Sequence, residues 1–186
     1  MSMLEIEPTA LPDVKIITPK RHGDHRGFFS ETYNRRDFLA AGLDFDFVQD
    51  NHSLSASVYT LRGLHFQSEP FAQVKLVRVP RGRILDITVD LRRSSPTYGR
   101  HVAVELSALN WRQLLVPVGF AHGFCTLEPE TEVIYKVTNY YSAANDLGLA
   151  WDDPALGVEW PGHGAVTLSD KDRRHPRLLD LPPIFA

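Results

Sequence analysis

Residues 57–67 read SVYTLRGLHFQ. Val58, Tyr59, Thr60 and Leu61 suit a strand, but Arg62, Gly63 and His65 follow within four positions. A strand that only fills a core needs none of the three. Histidine titrates near neutrality and can abstract a proton. Arginine presents a two-pronged donor that suits a phosphate. Further along, Lys75 opens a second strand-like segment, Tyr135 and Lys136 lie inside another, and SDKD (169–172) brings carboxylates near the C-terminus. A histidine, a lysine, a tyrosine and a carboxylate together can form a proton-transfer site. The carboxylate fixes the imidazole tautomer and stabilises the imidazolium, the lysine stabilises an oxyanion, and the tyrosine delivers a proton from the opposite face. Spacing leaves open whether these residues converge.

A second signal is VPVGFAHGF (116–124), with Pro117, Gly119 and His122 in a Pro-x-Gly-x-x-His arrangement. It resembles the second motif of the cupin barrels, in which a turn presents a histidine into the barrel. Metal-binding cupins often use a His-x-His pair, a later Glu and this last histidine. Here the pair reads His65-x-Gln67, and an amide is a poor metal ligand beside imidazole. No metal is expected. Cys125, the one cysteine, sits in the apolar run GFAHGFCTL and reads as a buried, inert thiol.

Elements must place these groups. The chain has 186 residues, 43% hydrophobic and 23% charged, with a net charge of −3. That suits one globular domain with a sizeable core. No clustered basic excess points to nucleic acid, no apolar stretch is long enough to span a membrane, and MSMLEIEPTALPDV lacks the plan of a signal peptide. A cytoplasmic protein is expected. VKLVRV (74–79), RILDITVDL (83–91), HVAVEL (101–106), RQLLVPVG (112–119) and TEVIYKVTNYY (131–141) read as strands separated by turn residues. In RILDITVDL, Leu85, Ile87, Val89 and Leu91 alternate with Asp86, Thr88 and Asp90, the period of two of a strand. If the aliphatic face packs between sheets, the polar face meets either water or a lined cavity. One clear helix is NRRDFLAAG (34–42), with Asn34 as N-cap and Gly42 past its end. Many short strands at regular spacing argue a mainly β fold, a sandwich or a barrel, and the resemblance of VPVGFAHGF to the second cupin motif implies a cupin or double-stranded β-helix (jelly-roll) barrel with a few short helices.

These residues carry a resemblance. RGFFSETYN (26–34), FVQDNHSLS (47–55), LRGLHFQ (61–67), QVKLVRVPRGRILDITVDLRRSSPTYG (73–99), VPVGFAHGF (116–124), YKVTNYYS (135–142), WDDPALGVEWP (151–161) and LSDKD (168–172) occur in the order seen in the dTDP-4-dehydrorhamnose 3,5-epimerase family. They cover most of residues 20–175. The resemblance implies a metal-independent isomerase that needs no cofactor. Its substrate would be a dTDP-4-keto-6-deoxyhexose, inverted at C3 and C5 to make dTDP-4-dehydro-L-rhamnose for surface polysaccharide. It implies His65 as base, Asp172 as its dyad carboxylate, Lys75 beside the C4 enolate oxygen and Tyr135 as the acid opposite the histidine. It also implies contacts to the nucleotide sugar from Gln49, Asn51, Arg62, His122, Tyr140, Asp146 and Lys171. Arg26, Phe29 and Glu31 would reach the partner subunit's nucleotide. Asp86 would orient Lys75 or His65, and Trp151 and Trp160 would pack outside the barrel. The expected organisation is one epimerase domain over 1–186, with a dimer-exchange segment at about 1–30, a proline-rich tail at about 173–186, and a homodimer.

Three alternatives follow. One is a related mono-epimerase acting at C3 or C5 alone. The second is a metal-dependent cupin, disfavoured by His65-x-Gln67. The third is a non-catalytic sugar-binding cupin, disfavoured by the complete His65, Lys75, Tyr135 and Asp172 set. One geometric expectation is specific. Arg62 and His65 are three residues apart and would face opposite sides of a regular strand, so a bulge at Gly63 must bring both to one pocket.

Overall fold

The computed structural model describes residues 3–186; the first two residues of the expected exchange segment lie outside the described residues. Strands β1 (Leu4–Pro8) and β2 (Lys15–Pro19) precede a short hairpin of β3 (His22–Asp24) and β4 (Gly27–Phe29). Helix α1 (Arg35–Ala40) follows, then β5 (Gln49–Ser55), β6 (Leu61–Gln67), β7 (Lys75–Arg81) and β8 (Arg83–Asp90). The series ends with β9 (His101–Ser107), β10 (Gln113–Val116), β11 (Phe120–Thr126), β12 (Thr131–Val137) and β13 (Asp146–Gly148). Asn34 caps α1 by accepting a hydrogen bond from the Arg36 amide at 3.1 Å, as its side chain predicts.

Two antiparallel sheets form the body. One has the order β1-β2-β10-β7-β12-β5 and the other β13-β6-β11-β8-β9. Neighbours that are distant in sequence and two sheets facing each other make this a jelly roll, the double-sheet solution to exposed strand edges.

Between the sheets the interior divides. One part is an apolar core containing Val77, Val79, Ile84, Leu106, Leu114, Phe120 and Val133. The rest carries the polar members of the same strands. Asp86, Thr88 and Asp90 are each fully buried and share the inner face of β8 with Ile84. The alternation in RILDITVDL therefore resolves in favour of a lined interior. Its aliphatic members, Ile87 and Val89, pack on the outer face of β8 beneath Leu149, Leu156, Leu181 and Phe185 from the C-terminal segment. That segment closes with the Arg93 amide donating to the Phe185 carbonyl at 3.2 Å. The proline-rich tail is thus a cover over the sheet, and Trp160 packs on the same outer cluster. On the other sheet, Phe38 of α1 and Leu43 cover Ile17, Leu76 and Leu115.

Candidate active site

The site starts at an irregularity. β6 runs antiparallel to β11 with His65 opposite His122 and Arg62 opposite Phe124. Two residues, Gly63 and Leu64, therefore face the single residue Gly123, which is a β-bulge. It cancels the three-residue parity problem, and Arg62 and His65 line one cavity. Only glycine serves at 63: its φ is +137°, and an added Cβ would lie 2.5 Å from the Gly123 Cα.

The cavity holds about 590 Å³ and is lined from both sheets. β6 contributes Arg62 and His65, and β11 contributes His122. The facing sheet contributes Lys75 from β7, Tyr135 from β12 and Ser53 from β5, while Asp146, Lys171 and Asp172 close one side. Lys75 pairs with Val137 and Tyr135 with Val77, so the lysine and the tyrosine share one inner face. A smaller recess of about 180 Å³ shares His65, Lys75, Tyr135, Tyr141 and Asp146 with the main cavity and adds Gln49 and Asn51.

His65 Nε2 lies 2.6 Å from Asp172 Oδ1. Asp172 itself is buried, and its Oδ2 accepts the Gly63 amide at 3.4 Å. Burial opposes ionisation of Asp172, yet the contacts from His175, His65 and the Gly63 amide together hold its carboxyl far below the usual carboxylate range. With Nε2 committed to the carboxylate, Nδ1 of His65 has no hydrogen-bond partner among the described residues and is the ring's free basic nitrogen. Burial pushes the His65 imidazole down, with the Asp172 hydrogen bond and charge pulling it back up. Burial thus favours the neutral ring, the form able to accept a proton.

Lys75 is buried, and its Nζ donates to the His65 carbonyl at 3.2 Å. Burial depresses its ammonium to about 8, against the opposing charges of Asp146 and Asp86. Burial likewise raises the Tyr135 phenol, which keeps its proton at neutral pH. The Tyr135 hydroxyl has no hydrogen-bond partner among the described residues. Arg62 donates from Nε to Ser55 Oγ at 3.2 Å and from Nη2 to the Leu54 carbonyl at 3.1 Å, which fixes the guanidinium and leaves Nη1 for a ligand.

Asp86 does not orient His65. Its Oδ2 lies 2.8 Å from His122 Nε2, forming a second, fully buried His–Asp pair; toward Lys75 it acts only through charge. Lys171 is ion-paired with Asp146, and the Tyr141 hydroxyl donates to the same carboxylate at 3.2 Å. Tyr140 is 61% exposed and does not line the cavity. Its neighbour Tyr141 does, a distinction that the tandem NYYS does not announce. Ser53 was also missed, although Gln49, Asn51, Ser53 and Ser55 alternate with Asp50, His52 and Leu54, which face outward. Arg26, Phe29 and Glu31 lie on or just after the exposed β3–β4 hairpin, away from this chain's cavity. Arg26 pairs with Asp24, and Glu31 accepts from Asn34 at 2.7 Å.

Among the described residues, His65, Asp172 and His175 are the cluster of potential metal ligands. Zinc-bound ligand atoms sit about 2.0–2.1 Å from a common centre, whereas His65 and Asp172 are hydrogen-bonded directly to each other. Gln67 is turned to structure. Its amide nitrogen donates to the Phe71 and Tyr140 carbonyls, at 2.7 and 3.1 Å, and its oxygen accepts the Ser142 amide at 2.7 Å.

A jelly-roll barrel of cupin type that gathers a histidine–carboxylate pair, a buried lysine and a tyrosine around one cavity has the groups that proton-transfer chemistry needs. Residues 8–180 match the family model described as dTDP-4-dehydrorhamnose 3,5-epimerase. The dTDP-4-dehydrorhamnose 3,5-epimerase of Sinorhizobium fredii is 53% identical over 176 residues, covering 95% of this chain and 90% of the relative. The Bacillus anthracis enzyme of that name, crystallised with TDP and pyrophosphate, is 51% identical with a TM-score of 0.89, covering 94% of this chain and 99% of that one. A Legionella pneumophila dTDP-6-deoxy-D-glucose-3,5-epimerase in complex with dTDP-4-keto-L-rhamnose is 41% identical with a TM-score of 0.92, covering 96% of this chain and 95% of that one. The chain belongs to the dTDP-4-dehydrorhamnose 3,5-epimerase family.

Proposed function

We propose that this chain converts dTDP-4-dehydro-6-deoxy-D-glucose to dTDP-4-dehydro-L-rhamnose by inverting C3 and C5. The protons on both carbons are α to the C4 ketone, so each can be removed to leave an enolate. His65 Nδ1 takes the proton, and Asp172 stabilises the imidazolium that forms. The C–H electron pair passes into the enolate, whose negative oxygen is met by the Lys75 ammonium in a buried setting where such a charge counts for most. Tyr135 then donates its proton to the other face and the centre inverts, and proton exchange with solvent returns the imidazolium and the phenolate to their starting states before the second centre reacts.

The observation that carries this reading is that His65 and Tyr135 enter one cavity from opposite sheets. A flat enolate between them has a base on one face and an acid on the other. Arg62 meets the diphosphate, and Gln49, Asn51, His122, Asp146 and Lys171 contact the rest of the nucleotide sugar. No step calls for a metal: the enolate charge has a cationic partner, and the histidine is oriented by a carboxylate. Deuterium incorporation from solvent at C3 and C5 tests the function.

The working form is a homodimer in which Arg26, Phe29 and Glu31 reach the partner's cavity. Phe28 and Phe29 support this, being 54% and 65% exposed on β4, while Phe28 is braced edge-on against Trp111 at 4.8 Å. Sedimentation at micromolar concentration should show a dimer.

A further inference from the structure

We propose that His175 is a positioning residue of the proton-transfer site: it shares the Asp172 carboxylate with His65 and so sets how much of that negative charge the base receives. This rests on the reading of His65 as the base.

His175 follows the short 3₁₀ turn Asp172–Arg174, where residues three apart lie on the same side. Its Nε2 sits 3.5 Å from Asp172 Oδ1, the same oxygen that meets His65 Nε2 at 2.6 Å. The two imidazole rings stand edge to face, with centroids 5.5 Å apart and planes at 78°. The His175 Nε2 is buried and makes no full hydrogen bond. A buried polar atom without a partner is costly, and the shared oxygen lies just beyond good hydrogen-bond distance of it. The titratable groups facing it are Asp172 from its own turn and His65 from β6. β13 presents only the backbone of Gly148, opposite His65 in the strand register. A Cβ on Gly148 would overlap the His175 ring, so this glycine keeps open a slot for an imidazole behind the dyad. A space-filling role alone would be met better by a leucine or phenylalanine, which carries no nitrogen to leave unsatisfied.

His175 Nε2 leans on Oδ1 and draws charge away from His65. Without it the carboxylate acts on His65 alone and stabilises the imidazolium. The base then stays protonated to higher pH.

The test uses His175→Phe, which keeps a ring and removes both nitrogens, and His175→Gln, which keeps a donor. Histidine signals are followed by ¹⁵N NMR in the full-length protein without substrate, and kcat and KM are measured against pH. In His175→Phe, His65 should titrate at higher pH than in the wild type and the acid limb should move up with it. kcat should fall by about twofold to threefold, the worth of a contact weaker than a full hydrogen bond, with KM unchanged. His175→Gln should restore most of both. If His65 titrates identically in the wild type and His175→Phe, or if Phe and Gln shift it equally, the proposal is overturned. Should the phenylalanine variant not fold, His175→Leu is read in its place by the same criteria. The titration needs no turnover, so a wild type that exchanges no deuterium would sink the proposed activity and leave this result separately readable.

Discussion

Arg62 and His65 stand three residues apart on β6 yet line the same cavity, because Gly63 and Leu64 together oppose Gly123 on β11. The bulge is what lets one strand present both an arginine and a histidine to one cavity. Gly63→Ala should therefore strike fold and function together. Its methyl would meet the Gly123 backbone at 2.5 Å in a conformation with φ of +137°. A loss of about 2–5 kcal/mol is expected from backbone strain and overpacking combined. Urea unfolding monitored by circular dichroism measures it; wild-type stability would refute the argument.

In the proposed mechanism, Tyr135→Phe removes the proton donor from one face and leaves the base on the other untouched. Proton removal should continue, seen as substrate protons washing out into deuterated water. Inversion should slow by about 10²–10⁴-fold, the usual contribution of a general acid or base. Equal loss of exchange and inversion would mean that Tyr135 is not the acid.

Lys75 illustrates a site that costs stability. Burial depresses its ammonium from the ordinary 10.5 to about 8, which corresponds to roughly 3 kcal/mol. The unfolded chain binds this proton more tightly, so the penalty is fully present below pH 8 and is relieved as pH rises from 8 toward 10.5. Lys75→Met should melt at higher temperature than the wild type at pH 7 and be inactive. In the wild type, activity should decline as pH rises through about 8 and the enolate loses its cation.

Asp172→Asn keeps a side chain of similar shape and removes the charge. His65 loses the interaction that raises it, so its titration should move to lower pH, the direction opposite to that expected for His175→Phe. kcat should still fall by about 10²–10⁴-fold, because an amide can hold the wrong tautomer of the ring. Prolonged dialysis of the wild type against a chelator should leave kcat unchanged.

Much of this was legible in the sequence, and the reasons differ by element. The alternation in RILDITVDL marked a strand with two unlike faces, and Gly63 between Arg62 and His65 marked a bulge. Periodicity could not say that the aliphatic face of β8 would turn outward, because that depends on a cover more than 50 residues away, at Leu149, Leu156, Leu181 and Phe185. Nor could spacing join Asp172 to His65 across 107 positions; resemblance to a family supplied that link. Asp86 was placed in the interior, but its hydrogen bond goes to His122, a contact that follows from neighbouring strands β8 and β11, while it reaches Lys75 only through charge. His175 lies among arginines in DRRHPR and carries no signal of burial in the sequence. Its burial comes from the Gly148 slot on another element.

The central claim is that His65 and Tyr135 work the two faces of one substrate. Proton NMR of the purified protein with dTDP-4-dehydro-6-deoxy-D-glucose in deuterated water tests it most directly. The account predicts that the wild type replaces the protons at both C3 and C5 with deuterium, and that His65→Ala binds dTDP but replaces neither. Deuterium at one centre alone would make the chain a mono-epimerase. Exchange retained in His65→Ala, or absent from the wild type, would contradict the account.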